Sequence, residues 1–194
     1  MRMLSNMRML SSAFAIIGLL VTGYWAYEHV HANLYQASES RRLSTRAGNR
    51  NERPMRRPYA RAGSAIAVLS IPHLGLKTVV VEGVNEQELR VAAGHVPGTA
   101  LPGESGNIAV AGHRDTFFRS LRHIRNSDEI NLNTPDGQYR YRVISTKVTW
   151  PDDITVLRPT PRPSITLITC YPFTFVGAAP KRFIVRAELL DSTS

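Results

Sequence analysis

The chain of 194 residues contains a single cysteine, Cys170, and so forms no internal disulfide. Counted alone, an unpaired thiol reads equally as a small buried hydrophobe, a link to another chain or a reactive group. Its setting separates these readings. Ile165-Thr166-Leu167-Ile168-Thr169-Cys170 has the composition of a strand, and Tyr171-Pro172 stops it. A thiol at a strand end faces a cleft more often than a core. As a thiolate it attacks carbonyl carbon, which is acyl-transfer chemistry. Eleven residues later the chain returns as Lys181-Arg182-Phe183-Ile184-Val185. If the two runs pair as a hairpin, Arg182 begins its strand at the edge where Cys170 ends its own. A guanidinium there favours the thiolate and holds a developing oxyanion. Taken alone, an arginine at a strand end is more simply a solvated side chain.

A thiol nucleophile needs a proton partner, usually histidine. The sequence offers six. His29 and His31 follow the N-terminal apolar run, His73 sits in a turn, His95 precedes Val96-Pro97, and His123 lies in a basic stretch. Each reads as a surface or structural residue. His113 differs. It follows Ile108-Ala109-Val110-Ala111-Gly112, at another strand end. If the active form pairs a thiolate with an imidazolium, the histidine also has a proton for a leaving amine.

These three side chains need strands to carry them. Residues 65–71 and 77–82 read as strands joined by the turn-forming Pro72-His73-Leu74-Gly75. Asn85 is placed to cap a short helix through Ala92, with Glu88 at the capping-box position. Residues 107–111 form a short apolar strand, and 116–122 a helical turn or two. Pro135-Asp136-Gly137 predicts a hairpin between strands at 129–133 and 138–150. Residues 164–169 and 182–189 complete the set. Many short strands with little helix predict an all-β barrel or sandwich over 65–194.

Ahead of that domain, Met9 to Tyr27 carries no charge and ends in Tyr24, Trp25 and Tyr27. Its length and aromatic end predict a transmembrane signal-anchor over 9–27, rather than a cleaved signal peptide. Residues 1–8 then form a short cytoplasmic N-terminus. Residues 28–64 read as a basic flexible stalk, with one or two helical turns carried over at its start. The formal net charge is +9, but residues 36–64 contribute +6 and residues 65–194 only +2. The domain has no basic excess of the kind a nucleic-acid reader needs. A basic run beside an apolar helix suits an anionic lipid or polymer surface instead.

Thr166-Leu167-Ile168-Thr169-Cys170, the Gly112-His113 pair 57 residues before the cysteine, and Arg182 twelve after it together resemble the signature of the sortases. The resemblance covers roughly 66–190. Gly-His-Arg-Asp-Thr-Phe-Phe at 112–118, with Cys-Tyr-Pro-Phe at 170–173 and Ala-Pro-Lys-Arg-Phe at 179–183, is most similar to the class D branch. It implies a closed eight-stranded β-barrel facing outward from the cell membrane. It implies a transpeptidase that cuts a Leu-Pro-x-Thr-Gly-like sorting signal between Thr and Gly. The acyl group would pass through a thioester on Cys170 to an amine, from a peptidoglycan precursor or a pilin lysine. By the same resemblance His113 is the acid/base and Arg182 the oxyanion or substrate-orienting group. Thr169 and Asp115 are further candidates for holding oxyanion or substrate.

Two rivals fit less well. An L,D-transpeptidase also sets Cys and His on a β-rich domain, but its Ser-x-Gly-Cys pattern is absent around Cys170. A catalytically inactive surface-binding module has no use for an intact Cys-His-Arg set. No cofactor motif is legible. Asp128-Glu129 and Asp152-Asp153 are adjacent carboxylates without metal-ligand spacing.

Overall fold

Runs rich in Val, Ile, Ala and Leu pair laterally until the sheet closes on itself, and closure removes its edges. The computed structural model describes residues 2–48, 61–175 and 177–193, with the backbone alone at 2–15, 25, 28–29, 46–48 and 193. Its strands are β1 (Ala65–Ile71), β2 (Leu76–Glu82), β3 (Ala93–His95), β4 (Asn107–Ala111), β5 (Glu129–Thr134), β6 (Gly137–Thr149), β7 (Ser164–Tyr171) and β8 (Lys181–Thr193). They close into a barrel in the order β1-β2-β3-β4-β7-β8-β6-β5. Eight strands give an interior that side chains alone fill. Leu69, Ile71, Ile108, Val110, Ile130, Leu132, Tyr141, Ile165, Leu167, Val185 and Ala187 occupy it, with Phe118 and Leu121.

Two pairings are parallel, β2 with β3 and β4 with β7. The others are antiparallel. The predicted β5–β6 hairpin forms, and Thr134 fixes its turn. The Thr134 Oγ1 accepts from the amides of Asp136 (3.1 Å) and Gly137 (3.0 Å). The predicted β7–β8 hairpin also forms. β3 was not read from the sequence, because three residues containing a glycine carry no periodicity.

The short helix α2 spans Glu86–Val91 after Asn85, but Asn85 makes no side-chain cap bond. The expected capping box is therefore not made. The helical turn expected at 116–122 is a 3-10 turn at Arg119–His123.

The largest difference lies ahead of the barrel. The stalk expected over 28–64 is helical in its first part, as the helix α1 runs from Arg2 to Gly48. Residues 49–60 of that segment lie outside the described residues, and 61–64 form a turn leading into β1. The helix continues because Leu43 is buried on the outer face of β1 and β2 with Val68, Val79, Val81 and Ala92. Gln36 adds two bonds to the same face. Its Nε2 donates to the Val91 carbonyl at 2.6 Å, and its Oε1 accepts from the Val79 amide at 2.6 Å. Tertiary contact of this kind decides marginal helices. The expected span 9–27 falls within α1, and the side chains of 9–15 and of Trp25 lie outside the described residues. Among those described, no helix is long and apolar enough to cross a membrane.

Candidate active site

The interval of 57 residues between His113 and Cys170 has a geometric origin. β4 and β7 run parallel with Asn107 beside Ser164 and Ala111 beside Ile168. That register is an offset of 57, and the Gly112 amide extends it by donating to the Ile168 carbonyl at 3.0 Å. Continued two residues past the end of β4, the same offset sets His113 level with Cys170. On the other side, Cys170 pairs directly with Arg182 in the antiparallel β7–β8 ladder. Directly opposed side chains in such a ladder have Cβ atoms about 5 Å apart. Cys170 and Arg182 thus stand side by side on adjacent strands, and His113, just past the end of neighbouring β4, completes the row.

Alternation along the strands decides which face carries the row. Ile108 and Val110, Ile165 and Leu167, Val185 and Ala187 all point into the core. Cys170 and Arg182 have the opposite parity and lie on the outer face, and His113 follows two residues beyond the end of β4. His113 is exposed; Cys170 and Arg182 are half-buried. Arg182 donates through Nη1 to the carbonyls of Lys181 (3.0 Å) and Ala179 (3.3 Å). No described residue accepts from its Nε or Nη2, which leaves donors for a ligand.

Thr169 has the core-facing parity, opposite to Cys170. It is buried, and its hydroxyl donates to the Gly112 carbonyl at 2.7 Å. This corrects the expectation that Thr169 adds a donor beside the thiol, since its proton is committed to tying β4 to β7. Asp115 is 74% exposed and accepts from Arg114 Nε at 3.1 Å. Its described partner is Arg114.

Two segments flank the row. The β6–β7 connection contains a 3-10 turn at Ile154–Leu157. Asp153 caps it by accepting from the Thr155 amide at 3.1 Å. It also accepts from Thr149 Oγ1 (2.6 Å), Thr155 Oγ1 and Lys147 Nζ (3.1 Å). The hydrogen bonds from Thr149, Thr155 and Lys147, in that order, hold its carboxyl well below the usual carboxylate range. Asn107 Nδ2 and Arg186 Nη2 both donate to the Val156 carbonyl, at 2.9 and 3.1 Å, and pin the turn to β4 and β8. The second segment is the β7–β8 loop. Phe173 packs with Tyr171 and Phe183 at ring separations of 6.0 and 5.4 Å. Phe175 is 44% exposed, and Val176 lies outside the described residues. Between the two segments, half-buried Ala111 and Ile168 form a floor leading to Cys170.

Residues 69–190 match the family model described as the sortase domain. The chain belongs to the sortase family. Sortases are cysteine transpeptidases, and this one is most like class D. It is similar to sortase D of Bacillus subtilis (strain 168), 29% identical over 180 residues, which cover 87% of this chain and 91% of the relative. The structure is similar to a Clostridium perfringens sortase D5 transpeptidase, with TM-score 0.67 and 28% identity over 80% of this chain and 99% of that one. It is also similar to Streptomyces coelicolor sortase E1 with a tripeptide in its active site, with TM-score 0.61 and 30% identity over 69% and 93%.

The structure of this sortase also gives two of the other histidines structural partners. His95 is buried, its Nδ1 2.7 Å from Glu82 Oε2 and its Nε2 3.0 Å from the Ala100 carbonyl. His73 pairs with Asp128 at 2.9 Å. Both brace connections between elements. Among the described residues no group of three or more His, Cys, Asp or Glu is gathered to hold a metal ion. The residue that sequence reading passed over is Arg114. It is charged yet buried, and its one sequence signal is its place directly after His113.

Proposed function

We propose that this sortase is a membrane-anchored transpeptidase that cleaves a Leu-Pro-x-Thr-Gly-like sorting signal between Thr and Gly. Its substrates are surface proteins bearing that signal, and its acceptor is an amine of the cell envelope, from a peptidoglycan precursor or a pilin lysine. The reading is carried by one observation, the alignment of Cys170 and Arg182 on paired β7 and β8 with His113 at the exit of neighbouring β4.

The Cys170 thiolate attacks the Thr carbonyl carbon, and a C–S bond forms as the carbonyl oxygen becomes an oxyanion. The Nε and Nη2 donors of Arg182 stabilise that charge or hold the peptide beside it. The C–N bond breaks as the His113 imidazolium passes its proton to the leaving Gly nitrogen. A thioester remains on Cys170. The acceptor amine then attacks the thioester, His113 takes its proton, and the Cys170 thiolate departs.

The anchor and the outward-facing domain belong to the same proposal. Ile16, Ile17, Leu19, Leu20, Val21 and Tyr24 are exposed along α1, an apolar surface suited to lipid. Thr22 donates its hydroxyl back to the Gly18 carbonyl at 2.8 Å, so that group needs no water.

A fluorogenic Leu-Pro-x-Thr-Gly peptide with a primary amine acceptor tests the reaction. We expect cleavage and transfer, and at least about a thousandfold loss in Cys170→Ala. Cleavage that survives this substitution would refute the assignment. Tightly bound but uncleaved peptide would point to a binding module.

A further inference from the structure

Arg114 follows His113 directly, yet its side chain turns out of the row and under the β7–β8 loop. It is 9% exposed. Its Nη1 donates to the Pro172 carbonyl at 2.9 Å. Its Nη2 donates to the carbonyls of Phe175 and Gly177, at 2.6 and 3.0 Å. Its Nε is paired with Asp115. Three carbonyls of one loop thus converge on one guanidinium.

Within that loop the described backbone bonding is thin. The Phe175 amide reaches the Pro172 carbonyl at 3.3 Å, near the limit of such a bond. Arg114 supplies donors to three carbonyls of the loop, in part-buried bonds. The second half of the loop is held by Arg182, through Ala179 and Lys181. The described parts of the loop are therefore held by two arginines, Arg114 directly after His113 and Arg182 itself in the row. A planar fork with five N–H groups suits this task, and the compact ammonium of lysine does not.

Resting on the catalytic reading above, we infer that Arg114 is a positioning residue. It fixes the β7–β8 loop as the wall beside Cys170, and through the far end of that loop it sets the aim of Arg182. It touches no reacting atom. A thioester that must outlast water until an amine arrives depends on such a wall. Loosening the loop admits water to Cys170 and misplaces the donors of Arg182. The signature of Arg114 is thus a change in the fate of the acyl group as well as in rate.

The test compares the unaltered protein with Arg114→Met, Arg114→Lys and Gly177→Ala. Gly177 has φ +93° and nothing within 4 Å of an added Cβ, so alanine there strains the backbone that presents one carbonyl while meeting no neighbour. The ratio of transfer to hydrolysis is read from the two products of one reaction, so the amount of misfolded protein cancels. At fixed amine concentration, Arg114→Met is expected to lower the ratio of transfer to hydrolysis by about tenfold, with Arg114→Lys intermediate. Gly177→Ala shifts the ratio the same way and adds little to Arg114→Met, because both act on one contact. Amide exchange of the full chain in detergent is expected to quicken across residues 173–179 and to stay unchanged in β4, β7 and β8.

An unchanged partition ratio in Arg114→Met overturns the inference, as does unchanged exchange in the loop. Quickened exchange throughout the barrel also overturns it, in favour of general stability. If the unaltered protein neither cleaves nor transfers, the catalytic reading fails instead. The exchange measurement then decides alone whether Arg114 clamps the loop.

Discussion

Between the last residue of β4 and His113 stands Gly112, where no other side chain fits. A Cβ built on Gly112 lies 2.8 Å from Phe118 Cδ2 and 2.9 Å from Cε2. Phe118 is fully buried, and its amide donates to the His113 carbonyl at 3.0 Å. The ring under Gly112 and the bond to His113 belong to one residue, so the close approach and the histidine's position are coupled. Gly112→Ala is expected to cost about 1–3 kcal/mol by overpacking, and to lower peptide turnover beyond that loss of folded protein. Thermal unfolding and active-site-normalised turnover would measure the two effects. Turnover per competent site that stays unchanged would mean His113 does not depend on this contact. Thr169 and Arg114 show the same scale from the other side. Each neighbours a row residue in sequence, and each turns its polar group to backbone carbonyls instead.

At the scale of elements, both connections that flank the row are held by charged side chains. Arg114 and Arg182 hold the β7–β8 loop, and Asp153 holds the β6–β7 connection. The contribution of Asp153 to stability depends on pH with a definite sign. Its carboxyl titrates lower in the folded chain than in the unfolded one. The unfolded state therefore binds the proton more readily, and stability falls as acid is added. The contribution is complete above the ordinary aspartate value of about 3.9, shrinks below it, and is lost as pH passes through the lowered folded value. The difference in Tm between the unaltered protein and Asp153→Asn should be constant above about pH 5 and contract below about pH 4. A difference that persists undiminished to about pH 3 would show that the carboxylate charge is not what the connection uses.

Across the whole molecule, the helix α1 does more than lead to the barrel. Its side chains at Gln36 and Leu43 seat it on β1, β2 and the end of α2. If the apolar part of α1 lies in a membrane, the seated part sets the height and tilt at which the row faces its substrates. At about 1.5 Å per residue, Tyr27 to Gln36 spans only about 14 Å. Leu43→Ala is expected to cost about 2 kcal/mol of that docking and to speed trypsin cleavage after the exposed Arg41 and Arg42. Cleavage at the unaltered rate would mean that other contacts hold the helix.

The sequence by itself determined the strands that alternate clearly, the β5–β6 and β7–β8 hairpins, and the three residues of the row. Periodicity, turn residues and the spacing of Cys170, Gly112-His113 and Arg182 are local quantities that a chain carries openly. It did not reveal that the 57-residue interval is the register of the parallel β4–β7 pair. That pairing joins strands separated by β5 and β6, and no local pattern encodes it. Nor did it separate Thr169 from Cys170, which alternation puts on opposite faces once the barrel has an inside. The helix runs on through residues 37–48, beyond the one or two turns expected at the start of the stalk, for the same reason. A polar, arginine-rich segment has little reason to be helical until Leu43 and Gln36 find β1, β2 and α2. Arg114 stayed unremarked because burial of a charge, and the three carbonyls that make it tolerable, exist only after the loop has folded over it.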